Sequence, residues 1–420
     1  MYNTIKKLKG TVKLKGDKSI SHRLLMIASL INDKSTIKNL STCEDVITTM
    51  ECLRQCNIAI NETMYETSIK GGTLASPDDV LDCKNSGTTA RMMIGLLAGQ
   101  KISSSFKGDS SLMQRPMKRI IEPLTAMLIK VKHNNNLLPI SIDPNSVQPI
   151  DYNSYTNSAQ VKSSLMFAAL GTNKYSNIAY NKSTRDHTEK ILHYLNFDIS
   201  INDKIKIRKS TVNKGFLIEI PGDISNASFL IGACLIIPGS KITVKDVLYN
   251  KTRFGFIDVL LKMGANIKII NKNTKNNPEL YCDIIVEYTS DLKGVDIKGN
   301  EVIRMIDEIP ILSIVATQAN GQTVLMDATE LKYKESNRLS LIYRNLKLMG
   351  ANIKEEKDGL IINGNKKLYY TTTNHGNDHR IAMSFEVLHL LINNKMDNVY
   401  HDVIKISFPE FYELIEGLIQ

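Results

Sequence analysis

The chain has 420 residues, 42% of them apolar and 23% charged, with no tryptophan and a formal net charge of +10 at pH 7. That length fills two or three domains with sizeable cores, and that balance excludes a chain dominated by disorder. The lysines are spread along the sequence instead of forming a basic stripe with stacking aromatics, so the charge alone does not argue for nucleic acid.

Residues 1–15 read as a first strand. The apolar run that follows, Leu24 to Ile31, is far too short to span a bilayer, and no charged-then-apolar leader precedes it, so a cytoplasmic location is expected. A small-polar cluster then opens an apolar helix in "GDKSISHRLLMIASL" (16–30). The same unit recurs as "NSGTTARMMIGLLAG" (85–99), "NSAQVKSSLMFAALG" (157–171), "GDISNASFLIGACLI" (222–236), "MIDEIPILSIVATQANG" (305–321) and "GNDHRIAMSFEVLHLL" (376–391). Each copy has apolar residues at helical spacing and small residues that permit close packing. A second repeat joins "LLKMGANIKII" (260–270) to "LKLMGANIKEE" (346–356), with echoes in "ECLRQCNIAIN" (51–61) and "HYLNFDISIN" (193–202). The two full copies read as a helix stopped by a glycine in the left-handed cap conformation and followed by a short strand. Six copies of a compact α/β unit exceed one core, which predicts two globular halves of three units each, divided near Pro221–Asp223.

The six cysteines (Cys43, Cys52, Cys56, Cys83, Cys234 and Cys282) form no C-x-x-C pair, and no histidine accompanies Cys52 and Cys56 at their four-residue spacing. They read as reduced thiols, with no zinc site. His22, His187 and His379 read as helix-start residues with structural hydrogen bonds.

The helix mouths carry the functional signal. Ser, Thr, Asn and Asp there would ordinarily be caps. Yet Arg23, Arg91, Arg338 and Arg380 lie within the first turn or so of predicted helices, with Lys18 and Lys334 just before such starts. A cation is unfavourable at the positive end of a helix dipole unless an anion compensates it. Helix mouths with Arg and Lys make strong traps for phosphate and carboxylate, so a polyanionic small molecule is the expected ligand.

These motifs resemble, in order and from end to end, the 5-enolpyruvylshikimate-3-phosphate (EPSP) synthase family. The matching stretches are "GDKSISHR" (16–23), "NSGTTAR" (85–91), "GDSSLMQRPM" (108–117), "NSAQVKSSLMFAAL" (157–170), "STRDHTE" (183–189), "MIDEIPIL" (305–312), "KESNRL" (334–339), "NDHRIAMSF" (377–385) and "SFPEF" (407–411). The resemblance implies an α/β fold: a two-lobed inverted α/β barrel of six βαβαββ-type units, three per lobe, with a ligand cleft between lobes. It places an N-terminal lobe over 16–222, a C-terminal lobe over 1–15 plus 223–420, and a two-stranded hinge near 13–17 and 220–225. The implied reaction moves the enolpyruvyl group of phosphoenolpyruvate to the 5-hydroxyl of shikimate 3-phosphate by addition and elimination, releasing phosphate, without metal or organic cofactor. A monomer acting on small molecules, with no nucleic acid or membrane partner, is expected.

The resemblance also implies roles. Lys18, Asp307 and Glu335 would be catalytic: Glu335 for proton exchange at C3 of the enolpyruvyl group, Asp307 for the 5-hydroxyl, Lys18 near the developing charge. Shikimate 3-phosphate would be held by Lys18, Ser19, Arg23, Ser158, Ala159, Gln160, Arg185, Asp307 and Lys334. Phosphoenolpyruvate would be held by Lys18, Asn85, Gly87, Thr88, Arg115, Gln160, Arg338 and Arg380. Gly87 would let the backbone approach the ligand, and alanine there would crowd phosphoenolpyruvate. On residues alone, Glu335 reads as a capping or surface glutamate and Asp307 as a helix N-cap ahead of Pro310. Asp17 stands where many members have serine. Lys405 is one residue off a lysine found in some members, whose position here is Ile406. In a strand one residue changes the face, so Lys405 is left out of the site. The rival readings are the sister transferase acting on UDP-N-acetylglucosamine and an RNA-binding or RNA-end-processing protein. The first typically carries a loop cysteine that "GDSSLMQRP" (108–116) lacks.

Overall fold

A computed structural model describes residues 6–153, 157–274 and 277–420. The chain divides into two compact units. The N-terminal unit comprises Gly16–Ile220 with Asn276–Glu279, and the C-terminal unit comprises Met1–Lys15, Pro221–Lys275 and Leu280–Gln420.

One construction rule builds every sheet among the described residues. In chain order it runs strand, helix, strand, helix, strand, strand. The strand Leu81–Asp82 leads through the Gly87–Gly99 helix to Ser104–Lys107, then through Lys118–Ala126 to the hairpin Lys130–Asn134 and Leu137–Asp143. The first strand pairs parallel with the second, the second antiparallel with the fourth, and the fourth antiparallel with the third. The sheets beginning at Asp151–Tyr152 and Asp296–Ile297 repeat this order. Two further sheets obey it with a first strand taken from far away in sequence. Leu217–Glu219 pairs parallel with Lys34–Lys38 in the N-terminal unit, and Lys9–Lys13 pairs parallel with Lys241–Leu248 in the C-terminal unit. A parallel neighbour needs a crossover, so the rule is satisfied by any strand that arrives in the right direction.

The sixth copy departs from the expected unit. It keeps its long helix, His379–Asn393, followed by the short helices His401–Ile404 and Phe411–Leu418, but no sheet forms around it among the described residues. The buried Glu386 carboxylate accepts the backbone N–H of Asp397 at 2.7 Å and of Asn398 at 3.0 Å, and the Tyr412 hydroxyl at 2.8 Å. A side chain thus satisfies backbone donors that a ladder would otherwise take. The strand expected at residues 405–406 is likewise a helical end: Lys405 N–H donates to the His401 carbonyl at 3.0 Å. The Lys405 ammonium pairs with Asp402 at 2.9 Å, so side-chain alternation does not decide its direction.

The second helix of each sheet unit ends in the same way. The residues that follow it, Asn57, Leu128, Asn196, Gly264 and Gly350, all have positive φ, between 61° and 89°. Each donates its N–H to the carbonyl three residues back. The next residue donates to a leucine carbonyl five back, at Leu53, Leu124, Leu192, Leu260 or Leu346. This is a Schellman closure, which satisfies the last helical carbonyls and turns the chain into the third strand. Glycine and asparagine enter the left-handed region easily; leucine does not.

The first helices pack closely through glycine. A Cβ on Gly95 would lie 2.2 Å from the Ser164 carbonyl, and one on Gly99 would lie 2.4 Å from the Phe167 carbonyl, so the Gly87–Gly99 and Ala159–Ala169 helices touch backbone to backbone. In the C-terminal unit a Cβ on Gly232 would lie 2.7 Å from the Ile311 side chain.

Leu128 has φ +62° and is 61% exposed, so its side chain gains little from burial to offset its backbone strain. Leu128→Gly is expected to stabilise the N-terminal unit by about 1 kcal/mol. Chemical denaturation should show a higher midpoint with an unchanged slope.

Candidate active site

In the N-terminal unit the Lys18–Leu30 helix is capped by Asp17, whose carboxylate accepts the Ile20 N–H at 3.0 Å. The cap supplies negative charge where the dipole is positive and the lysine follows. The Lys18 ammonium pairs with Asp45 at 2.9 Å, both side chains mostly covered. Five residues on, Arg23 is buried and donates to the Thr188 hydroxyl (2.7 Å), the Ser19 carbonyl (2.8 Å) and the Ser163 hydroxyl (3.0 Å). Arg185 donates to the Ser19 hydroxyl at 2.9 Å.

The next helix, Gly87–Gly99, is capped by the Ser86 hydroxyl on the Thr89 N–H at 3.1 Å. A hydroxyl chain joins it to the first mouth: His22 Nδ1 to Thr49 at 2.7 Å, Thr49 to Thr89 at 2.7 Å, Thr89 to Ser86 at 2.7 Å. Gln160, in the first turn of the Ala159–Ala169 helix, accepts from Arg91 at 2.8 Å and donates to the Thr88 hydroxyl at 2.9 Å. Arg115 donates to Asn85 at 3.1 Å, and Asn85 donates to Asp109 at 2.7 Å. Gly87 lies against both arginines: a Cβ there would sit 2.6 Å from Arg91 Nη1 and 3.3 Å from Arg115 Nη1.

In the stretch from Arg185 to Glu189 each side chain has its own partner. Beyond Arg185 with Ser19, Asp186 pairs with Lys190 at 3.4 Å, His187 Nδ1 meets Glu279 at 2.6 Å, and Thr188 receives Arg23. Glu189 pairs with the buried Lys162. Asp186, His187 and Glu279 lie close enough together to hold a cation, and Lys190 supplies one: its ammonium is 3.2 Å from Glu279 as well as 3.4 Å from Asp186.

In the C-terminal unit the Arg338–Leu348 and His379–Asn393 helices open beside each other's charges. Arg338, 1% exposed, donates Nε to Asp378 at 2.7 Å, Nη2 to Glu335 at 2.5 Å and Nη1 to Asp307 at 3.4 Å. Burial opposes its charge, but Asp378, Glu335 and Asp307 together overcome that and hold the guanidinium protonated above its ordinary range. Asp378 also caps its own helix, accepting the Arg380 N–H at 3.0 Å, and receives the Ser336 hydroxyl at 2.9 Å. Asp307 gathers further cations: Lys334 at 3.6 Å and Arg380 at 3.9 Å, with Arg380 also donating to the Asp307 carbonyl at 3.3 Å.

A profile of the family described as EPSP synthase (3-phosphoshikimate 1-carboxyvinyltransferase) matches residues 2–415. The chain belongs to the EPSP synthase family. Its chemistry is the enolpyruvyl transfer of the shikimate pathway. It is 40% identical to the 3-phosphoshikimate 1-carboxyvinyltransferase of Persephonella marina, over 99% of this chain and 98% of that protein. It is 42% identical to that of Petrotoga mobilis, over 97% and 96%. A solved EPSP synthase from Acinetobacter baumannii superposes with a TM-score of 0.85 at 32% identity, covering 99% of this chain and 98% of that one. The enolpyruvyl transferase NikO from Streptomyces tendae shares the fold, with a TM-score of 0.77 at 13% identity.

Within this EPSP synthase family chain, the expected residues form two sets. Lys18, Ser19, Arg23 and Arg185 lie close to one another, as do Asn85, Gly87, Thr88, Arg115 and Gln160; the C-terminal unit gathers Asp307, Lys334, Glu335, Arg338 and Arg380. Ser158 is the N-cap of its helix without a side-chain cap bond, and Ala159 is the first helical residue. The bland reading of Asp307 as an N-cap does not hold: Glu308 occupies that position, and the Asp307 side chain faces Arg338, Lys334 and Arg380. The sequence reading missed Asp45, Glu279 and Asp378 as partners of the functional side chains. Asp378 is legible inside "NDHR" as a cap, and Arg91 as a cation at a helix mouth. Glu279 carried no signal.

His22 is buried, and burial, then Lys18 and Arg23, push its pKa well below the ordinary value of 6.5. Burial lowers His375 and His389 as well. These rings take up protons less readily in the folded chain than in the unfolded one, which does so below about pH 6.5, so the stability they contribute is present above that pH and is lost on acidification. Melting temperature should fall from pH 7 to pH 5, and His22→Gln should flatten that slope. An unchanged slope would remove His22 from the explanation.

Proposed function

We propose that the helix-mouth cations bind phosphoenolpyruvate and shikimate 3-phosphate, and that Lys18, Asp307 and Glu335 carry the transfer to the 5-hydroxyl. The observation that carries these roles is the pair of carboxylates, Asp307 and Glu335, held on one buried guanidinium. The reaction asks for two carboxylates with separate tasks. One accepts the proton of the attacking hydroxyl, and the other gives a proton to the methylene carbon and takes one back. Arg338 fixes both groups, while Lys334 and Arg380 lie beside Asp307 and leave Glu335 to the second task.

The N-terminal set supplies anion recognition. Ser19, Arg23, Arg185 and the Ser158–Ala159–Gln160 helix start suit a phosphate and a planar carboxylate. Arg115, Asn85 and Thr88, with Gln160 between them and Arg91, suit phosphoenolpyruvate. Lys18 serves both substrates. A ligand must compete with residents at two points. Phosphoenolpyruvate reaching Lys18 displaces Asp45, and its carboxylate reaching Arg338 displaces Asp307 or Glu335 from a hydrogen bond. In this reading the chain works as a cytoplasmic monomer on small molecules, without a cofactor, a membrane or nucleic acid. Among the described residues, no helix is long and apolar enough to cross a membrane.

Phosphate release decides the assignment. Purified protein should release phosphate from phosphoenolpyruvate with shikimate 3-phosphate and not with UDP-N-acetylglucosamine, and silence with the first pair overturns it. A filter-binding titration with RNA that gave tight, salt-steep binding would favour the nucleic-acid alternative. Glu335→Gln should lower kcat by about 100-fold or more while each KM stays within a few fold, and wild-type turnover would refute the proton-exchange role. Gly87→Ala should raise KM for phosphoenolpyruvate more than for shikimate 3-phosphate. The new methyl group meets Arg91 first, so the loss comes from displaced guanidinium groups as well as from contact with ligand.

A further inference from the structure

Glu279 belongs by sequence to the turn between two strands of the C-terminal unit, Ile267–Asn273 and Tyr281–Glu287, yet it clusters with the N-terminal unit. It is fully buried there, 92 positions from the histidine it contacts. Its two oxygens are divided between partners: Oε1 lies 2.6 Å from His187 Nδ1, and Oε2 accepts from Lys190 at 3.2 Å. The Glu279 N–H donates to the Asn277 side chain at 3.0 Å. Asn277 in turn donates to the Glu219 carbonyl.

Both partners stand on the His187–Tyr194 helix, which begins two residues after Arg185. That helix lacks a side-chain cap bond from its N-cap residue, Asp186. Side chains grip its first turn laterally: Glu279 takes the first and fourth residues, Arg23 and Ser163 the second, and Lys162 the third. Thr188, the residue after His187, carries the hydroxyl that receives Arg23 Nε. Arg185 reaches the Ser19 hydroxyl from just before this helix start, and Thr188 within it receives Arg23 from the Lys18–Leu30 helix.

We propose that Glu279 is a positioning residue for shikimate 3-phosphate: through His187 and Lys190 it holds the Arg185–Thr188 turn so that Arg185 and Arg23 meet the anionic groups of that substrate. This rests on the proposed assignment of those two arginines to shikimate 3-phosphate. Fixing a clamp within a fraction of an ångström is worth a large factor in binding and rate. A role in fold stability alone would lower the melting temperature and leave the Michaelis constants of the folded enzyme untouched.

The test uses steady-state kinetics of the full chain with both substrates varied, on Glu279→Gln, Glu279→Ala, Arg185→Ala and the Glu279→Ala/Arg185→Ala double variant. Circular dichroism establishes that each is folded. Glu279→Gln keeps an acceptor for His187 and loses the charge facing Lys190. It should raise KM for shikimate 3-phosphate several fold, and Glu279→Ala by about tenfold or more, with KM for phosphoenolpyruvate and kcat changed little. In the Arg185→Ala background, Glu279→Ala should add little, because the group it positions is gone. If Arg185→Ala raises that KM but folded Glu279→Gln has wild-type constants, or both substrates lose affinity equally, this inference is overturned while the assignment of Arg185 stands. If Arg185→Ala leaves that KM unchanged, the assignment of Arg185 fails, and the inference with it. If Glu279→Ala does not fold, Glu279→Gln alone decides.

Discussion

A helix amino terminus repels cations, and this chain places them there repeatedly. Much of the local structure answers that conflict. Asp17, Ser86, Asn337 and Asp378 cap the helices that carry Lys18, Arg91, Arg338 and Arg380. Further oxygens then receive the side chains: Asp45 for Lys18, Gln160 for Arg91, and Asp378, Glu335 and Asp307 for Arg338. Removing one partner from such a buried group costs about 3–5 kcal/mol. The cations persist because oxygens are built in beside them, so any anion that binds there must displace a resident one.

The scaffold that presents these mouths is economical in its rules. One strand order recurs in all five described sheets, and one left-handed helix ending recurs in all five second helices. In three of these units a helix mouth follows the unit's own first strand, whereas the Lys18–Leu30 and Ile224–Ile236 helices each follow a strand that pairs in the other sheet.

Much of this was legible in the sequence because it rests on local backbone demands. "KMGANI" announced a left-handed cap followed by a strand, and Gly264 and Gly350 sit there at φ +86° and +89°. Asn57 and Asn196 in the weaker echoes do the same work, whereas Leu128 hid the third instance because leucine gives no sign of positive φ. The nine motifs point to the family without any geometry. Long-range pairing stayed hidden. Nothing near Lys18 names Asp45, and nothing near His187 names Glu279. The sixth unit misled for a related reason: its helix is as apolar as the others, but Glu386 supplies from inside that helix the acceptors that a ladder elsewhere provides.

The exchange of first strands bears on how the chain must assemble. Leu8 and Ser240, bonded beside the pairing of Lys9–Lys13 with Lys241–Leu248, are 232 positions apart. At about 5–20 residues per second on the ribosome, the early strand waits on the order of ten seconds or more for its partner. A waiting strand with open backbone groups invites intermolecular association. This one lies in the stretch "KKLKGTVKLK" (6–15), where five lysines confer mutual repulsion on nascent chains. The dense charge of this stretch thus disfavours pairing between nascent chains until translation delivers the strand's own mate.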